Sequence, residues 1–433
     1  MVDLALSTDN SSANLIMPED SAAHEWYSFV LSYPPHLVRY YLTQFGVDHT
    51  KRVLDPFCGI GTTLVECKKK GIPSVGIEAN PMAWFASTVK TDWRPEPAAL
   101  LAEASTIATQ VIEALRDEGL EDIPLLYPNT TPPLRTLPEE ADRLLLKNSI
   151  SPLPLHKSLR LREAVDQRSA PEHRAHLRLA FAKALVDSAS NLSFSPEVGV
   201  STIKPDAPVV NPWLRGVRCM ADDLRELQSL SGAPAEVHLA DSRQAADVIE
   251  PASVDAVITS PPYPNEKDYT RTTRLESVLL GFMRNRADLQ AVKRGLLRSN
   301  TRGVYKGDDD DRWVEDFPEV LRIAQAIETR RKDLGKTSGF ERLYARVTTL
   351  YFGGMARHLK ELTQVLRPGA RLAYVVGDQA SYLRIMIRTG ELLANIAQSI
   401  GYEVTGIDLF RTRLATATRQ QLREEVVVLR WPG

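Results

Sequence analysis

Cysteine is scarce in this 433-residue chain, which has three: Cys58, Cys67 and Cys219. An odd number, with no pair at metal-ligand spacing beside histidines, argues against a disulfide framework and against a metal site. No run of the sequence approaches the roughly 18 consecutive apolar residues of a membrane span. The first twenty residues, Met1 to Asp20, are polar and acidic and lack the basic start and apolar stretch of a secretion signal. A cytoplasmic protein without a membrane partner is the expectation. Internal repeats and long low-complexity segments are missing too, which sets repeat architectures aside. A strong net charge is also absent, at −2. That near-balance hides an asymmetry. From Lys267 to the end, 29 Lys/Arg meet 20 Asp/Glu, whereas 24 meet 35 before it. The division points to one face for an anionic partner, or to charge clustered on solvated helices.

What is present is ordinary for a soluble globular chain, with 43% hydrophobic and 25% charged residues. Seven apolar, β-rich runs ended by loop signals read as short buried strands. They are Arg52–Phe57, Ser74–Glu78, Glu236–Ala240, Val254–Thr259, Arg371–Gly377, Tyr402–Leu409 and Glu425–Trp431. Helical patterns fall between most of them, at Thr62–Lys70, Tyr351–Val365 and Arg388–Ile400. Strands alternating with helices predict a mostly parallel sheet covered on both faces. Two stretches break the alternation. One, before the third strand, has helical runs at Ala98–Leu115 and His173–Leu192 around a proline-rich patch, Pro124–Pro138. The other, after the fourth strand, is rich in arginine and carries the acidic run Asp308–Asp311. Both are expected as insertions on the strand-end face, where open α/β sheets bind ligands.

The segment Asp55-Pro-Phe-Cys-Gly-Ile-Gly-Thr-Thr63 follows a strand and precedes a helix. Its glycines allow a tight turn, and the helix start offers free N–H groups. It is not a phosphate loop, because the Gly-Lys-Ser/Thr ending is missing. Glu78, at the end of the second strand, has the position of an acid that accepts ribose hydroxyls, or is a solvated strand-end carboxylate. Asp241 after the third strand would meet an adenine amine, or simply close a turn. At the end of the fourth strand stands Ser260-Pro-Pro-Tyr263. Two prolines fix φ and remove two N–H donors, so Ser260 and the Pro261 carbonyl can accept both protons of an exocyclic amine. Tyr263 offers a flat face for an extruded base. Taken alone, the same four residues would also make a rigid turn with a core tyrosine.

Together, the Asp55–Thr63 loop and Ser260-Pro-Pro-Tyr263 resemble the DNA amino-methyltransferases that act on N4 of cytosine or N6 of adenine. Ser32-Tyr-Pro-Pro-His-Leu-Val38 is similar to that family's upstream cofactor segment. The resemblance implies a Rossmann-like α/β methyltransferase fold with a seven-stranded mostly parallel sheet. It implies that S-adenosyl-L-methionine is held by Tyr33, Pro34, Asp55, Pro56, Phe57, Gly59, Gly61, Thr62, Thr63, Glu78, Ala79, Asp241 and Ser242. Catalysis would fall to Ser260, Pro261, Pro262 and Tyr263. The serine before the prolines is similar to the cytosine-N4 version, whereas aspartate is commoner in adenine enzymes.

The expected catalytic domain comprises 21–93, 236–263 and 341–433, with a mainly helical insertion at 94–235 and a basic, DNA-reading one at 264–340. The first insertion departs from the common pattern of the family. Double-stranded DNA is the expected partner, in a cytoplasmic, nucleoid-associated setting, with cognate restriction or defence proteins as further candidates. Arg271, Arg274, Arg298 and Arg302 are candidates for phosphate contact, or form a solvated helical face. Arg411, Arg413, Arg419 and Arg423 form a second basic cluster that tracks the DNA backbone or caps the sheet edge. Asp378 orients the base or closes a turn. Direct transfer to a flipped base needs no covalent intermediate, so Cys58 is expected to be a packing residue. The other readings are adenine-N6 methylation, an RNA base amino-methyltransferase, and a non-catalytic binding protein that kept the fold.

Overall fold

The computed structural model describes residues 17–28, 33–123, 132–194, 197–230, 232–265, 267–414 and 421–433. Ser32, part of the proline-rich patch (124–131), and Arg419 lie outside the described residues. The strands of the central sheet are β1 (Val53–Asp55), β2 (Ser74–Glu78), β3 (Ala235–Leu239), β4 (Val254–Thr259), β5 (Leu366–Gly377), β6 (Glu403–Leu414) and β7 (Gln421–Arg430). They lie in the order β3-β2-β1-β4-β5-β7-β6. All neighbouring pairs from β3 to β5 are parallel, and β7 runs antiparallel between β5 and β6.

Residues of period two explain why these runs form a doubly covered sheet. Leu54, Val257, Leu372, Tyr374, Val427 and Leu429 enter one core. Their neighbours Val53, Ala256, Ile258, Ala373, Val375, Val426 and Val428 enter another on the opposite face. On that face packs α1 (Pro35–Gln44), through Leu37, Val38, Tyr41 and Leu42. α2 (Thr62–Lys69) links β1 to β2, and α3 (Pro81–Lys90) follows β2. Asn80 caps α3 by accepting the Met82 N–H at 3.0 Å.

The first insertion is helical: α4 (Pro97–Asp117), α5 (Pro152–Arg168), α6 (Pro171–Ala184) and α7 (Val210–Leu227). α7 buries Val210, Trp213, Val217, Met220, Leu224 and Leu227, a stripe at helical spacing. The insertion shares one core with Met82, Ala86 and Val89 of α3, so it widens the sheet's flanking layer. α4 is long and apolar enough to cross a membrane by length and composition, although Glu103 and Glu113 interrupt it and no unbroken apolar run of that length is present in it. Leu100, Ala104, Ile107, Ala108, Val111 and Leu115 turn its apolar stripe into this core. α8 (Tyr344–Leu362) and α9 (Thr389–Ile400) pack on the β1/β4/β5 side with Leu54 and Val257.

Two strands outrun their sequence signals. β6 continues from Leu409 to Leu414 and β7 begins at Gln421, because Arg411, Thr412 and Arg413 pair in register with Glu424, Arg423 and Leu422. The strand order reverses between β1 and β4, and a crevice opens beyond the carboxyl ends of strands at such a point.

Candidate active site

Five strand ends meet one cavity of about 440 Å³. After β1 come Pro56, Phe57, Gly59 and Thr62, and after β2 come Glu78, Ala79 and Asn80. Ala240 and Ser242 follow β3, and Ser260, Pro261, Pro262 and Tyr263 follow β4. Gln379 and Ser381 follow β5. Tyr33 reaches in from before α1. The glycine loop and the proline tetrad, some 200 residues apart in sequence, thus line the same space.

The loop after β1 is shaped by a left-handed turn. Gly61 has φ of 87° and opens α2. A Cβ at this position would lie 2.5 Å from the Ser87 hydroxyl and 3.2 Å from its Cα. Gly61→Ala is therefore expected to destabilise the protein by about 2 kcal/mol or more, combining αL strain with a clash against the Ser87 hydroxyl and a tight contact with its Cα. A denaturant midpoint within error of wild type would contradict this.

Asp55 does not line the cavity. It is wholly buried behind the loop, which corrects the expected direct cofactor contact. Its carboxylate accepts hydrogen bonds from Tyr33 Oη at 3.0 Å, Thr259 Oγ1 at 2.6 Å and the Phe57 N–H at 3.2 Å. One side chain thereby ties the upstream segment, the glycine loop and the end of β4. Burial raises its pKa to about 6 against the lowering effect of those bonds. Thr63, also buried, donates to the Ile258 carbonyl at 3.1 Å and hydrogen-bonds the Tyr33 hydroxyl. Pro34, Gly61 and Thr63 stand behind the wall that Tyr33, Phe57 and Thr62 form.

Phe57 is held by His358, whose ring meets it edge-on at 4.7 Å. His358 is buried between the Ser242 carbonyl (3.0 Å) and the Tyr374 hydroxyl (2.8 Å), and burial lowers its pKa to about 4. A neutral ring suits those partners, with Nδ1–H donating to Ser242 and Nε2 accepting from Tyr374.

Glu78 accepts the Gly59 N–H at 2.8 Å and the Asn80 N–H at 2.7 Å, so it both braces the loop and faces the cavity. Burial raises its pKa to about 7, with the nearby Asp55 adding to the shift and the two backbone bonds opposing it. Asp241 departs from expectation. Its carboxylate is clasped by Arg243 at 2.6 Å and caps the following turn, leaving only its neighbours Ala240 and Ser242 in the wall.

In the tetrad, Ser260 Oγ donates to the Val375 carbonyl at 3.1 Å. The hydroxyl proton is thus engaged by the sheet, and the Ser260 side chain also lies in hydrogen-bonding contact with the Tyr263 phenol. The Tyr263 N–H donates to Tyr269 Oη at 3.3 Å. The Tyr263 ring sits against Gly377, where a Cβ would come within 2.9 Å of Cε2. Burial, with Glu424 nearby, raises the Tyr263 phenol, so it stays protonated. Cys58 is buried and its thiol is pushed well up by burial, as a packing residue requires.

The arginines divide. Arg298 is buried, bound to Asp308 at 2.8 Å and to the carbonyls of Lys293, Leu296 and Arg294. Arg274 binds Thr270 and the Leu144 carbonyl. Arg298, buried as well as internally paired, is withdrawn from the phosphate-contact candidates, and Arg274 is half-buried and held by internal partners. Arg302 is exposed and Arg271 half-buried. Arg411 and Arg413 line the cavity mouth beside Glu424. Asp378 is buried between Arg388 and Arg423, outside the cavity wall. Sequence reading missed Lys267, Tyr269, Lys293, Asn300 and Gln379, all of which line the cavity. The second insertion supplies the first four, whereas 94–235 supplies none among the described residues.

No protein-family model matches the chain. It is similar to the Type II methyltransferase M.BsoBI of Geobacillus stearothermophilus, at 24% identity over 95% of this chain and 85% of that protein. It is 32% identical to the Type II methyltransferase M.AvaI of Nostoc sp. (strain PCC 7120) over 41% of this chain and 38% of that protein. A shorter match, 44% identical, covers 13% of this chain and 10% of the Type II methyltransferase M.MjaII of Methanocaldococcus jannaschii. The chain therefore spans most of the first relative and well under half of the other two. The sheet order and the first relative define an α/β Rossmann-like methyltransferase fold.

Proposed function

We propose that the chain is a site-specific DNA methyltransferase that moves a methyl group from S-adenosyl-L-methionine to the exocyclic N4 amine of cytosine. The observation that carries this is Ser260. Its proton is engaged by Val375, and it lines the cavity shared with the glycine loop and Glu78, where its oxygen can accept. Relatives named Type II methyltransferases support the same class.

S-adenosyl-L-methionine supplies an electrophilic methyl group when bound. The chain fits it through Glu78, a cavity-facing carboxylate with no cationic partner among the described residues, able to accept ribose hydroxyls, and through Phe57 and Ala79 beside it. A cytosine extruded from the duplex stacks on Tyr263. Ser260 Oγ and the Pro261 carbonyl accept the two amine protons and aim the nitrogen lone pair at the methyl carbon. With the donor bound, that nitrogen would take up the methyl group as the thioether leaves, and the surplus proton would pass to water. Neither Cys58 nor any other side chain needs to form a covalent intermediate. Residues 21–93, 236–263 and 341–433 form the catalytic domain in this reading, and 264–340 closes the site. Arg271, Arg302, Arg411 and Arg413 contact phosphates, in a cytoplasmic, nucleoid-associated enzyme.

Two measurements test this. Glu78 serves the ribose best when ionised. With a pKa of about 7, its ionised fraction climbs about ten-fold between pH 6 and pH 8. Affinity for S-adenosylmethionine is expected to climb with it, by calorimetry, and to stay flat in Glu78→Gln. A flat wild-type profile would remove Glu78 from the ribose role. The stability linkage has the opposite sign. A carboxyl raised on folding makes its contribution at low pH and loses it as pH rises from about 4.5 to about 7. Binding to DNA is expected to weaken steeply with salt, by about one power of concentration per phosphate contact. Arg302→Ala and Arg413→Ala should each flatten that slope, and affinity indifferent to salt would remove the phosphate role.

A further inference from the structure

Among the described residues, two that line the cavity each carry a buried polar side-chain atom with no hydrogen-bond partner. Gln379 is 3% exposed and its Nε2 has no partner, and Asn300 is 8% exposed and its Oδ1 has none. Both line the same cavity as Ser260 and Tyr263. A buried amide without a partner costs about 1–3 kcal/mol. Two on residues of one cavity wall are places where a ligand could supply the missing bonds. The segments that carry them are joined, since Tyr382 Oη donates to the Ser299 carbonyl at 2.9 Å. Asn300 is oriented by donating Nδ2 to the Lys267 carbonyl at 3.1 Å. Gln379 is held through its backbone, which pairs with Ile387. It lies two residues beyond Gly377, the contact of the Tyr263 ring.

We propose that Gln379 is the specificity-determining residue that donates Nε2–H to the ring nitrogen beside the amine of the flipped base, N3 in cytosine. This rests on the reading above that the site takes a base with an exocyclic amine. The amine presents donors, and the ring nitrogen next to it presents one acceptor. Ser260 and the Pro261 carbonyl match the donors. The acceptor needs a donor, and Gln379 Nε2 is the orphan with the right sense. Asn300 Oδ1, an acceptor, has the wrong one. A uracil in the same pose carries an N3–H, which would oppose the Gln379 donor, so the contact also rejects the deaminated base.

The test uses the full-length protein and duplexes containing the site it methylates, with the target base either natural or replaced by its 3-deaza analogue. The analogue keeps the amine and exchanges the ring nitrogen for C–H. Wild type is expected to lose about 10- to 100-fold in kcat/KM on the analogue. Gln379→Leu should show that loss on natural DNA and no further loss on the analogue. Gln379→Glu, which keeps the shape but presents an acceptor, should lose the preference for the natural base. S-adenosylmethionine affinity near that of wild type would verify that each variant is folded. An analogue penalty as large in the variants as in wild type would overturn the proposal, as would wild type showing no penalty. If wild type methylates adenine, 1-deazaadenine takes the analogue's place and the same outcomes decide. If wild type labels no DNA base at all, the reading beneath the proposal fails, and the proposal with it.

Discussion

Tyr263→Ala is expected to slow methyl transfer by on the order of 100-fold, with S-adenosylmethionine affinity within about two-fold of wild type. The ring lines the cavity next to Ser260, and its position is fixed twice. The backbone N–H is anchored on Tyr269, and the ring sits against Gly377. Stacking of a base on an aromatic ring is worth about 1–3 kcal/mol, and losing it also loosens the amine relative to the acceptors that aim it. The loss should fall mainly on transfer, because none of the Glu78 contacts involves this ring. Tyr263→Phe should keep most of the activity, since the phenol stays protonated and the base needs the ring face. Single-turnover rates with labelled cofactor separate these cases. Loss of cofactor binding in Tyr263→Ala, or a Phe variant as slow as the Ala variant, would contradict the stacking role.

Asp55→Ala is expected to lower stability by on the order of 3 kcal/mol and to weaken cofactor binding and methyl transfer together. The aspartate does not line the cavity, but three donors lose their acceptor when it goes: the hydroxyls of Tyr33 and Thr259 and the Phe57 N–H. These donors belong to the three segments that frame the cavity. Part of the cost is offset, because the buried carboxylate is itself poorly solvated, as its pKa of about 6 reflects. That offset has a pH signature. The stability gap between wild type and Asp55→Ala should widen as pH falls from about 6 towards 4, where the folded protein binds the proton more tightly than the unfolded chain. Chemical denaturation of both proteins across that range measures it. A gap that widened on raising the pH would mean that the carboxylate is stabilised, not strained, by its burial.

Much of the sheet was legible because its inner strands are short apolar runs. Ser74–Glu78 and Val254–Thr259 stand where the sequence places them. The ends of β6 and β7 were not, since their alternation is written in charges. Arg411 and Glu424 face each other as an ion pair in the ladder, and neither reads as strand. The helices of the first insertion were visible, but nothing local told that they would join Met82 and Val89 in one core.

In the site, motif residues that touch the cavity were found along with those that stand behind it, because spacing alone does not separate a wall from its support. Asp55 and Thr63 belong to the second kind. Arg298 was misread because an arginine in a basic stretch suggests solvent. Its partner, Asp308, sits ten residues on, in an acidic run that was itself visible. Gln379 gave no signal, being an uncharged amide in no motif, and only the enclosure around it gives it meaning.

The central claim is that this cavity methylates the amine of a DNA cytosine. The most direct test is to incubate the purified protein with S-adenosylmethionine and unmethylated genomic DNA, digest the DNA, and identify the modified nucleoside by mass spectrometry. N4-methylcytosine is the predicted product, absent when Ser260→Ala and Tyr263→Ala are combined. N6-methyladenine in its place would contradict the base assignment drawn from Ser260, and DNA left unmodified by a protein that binds the cofactor would contradict the claim itself.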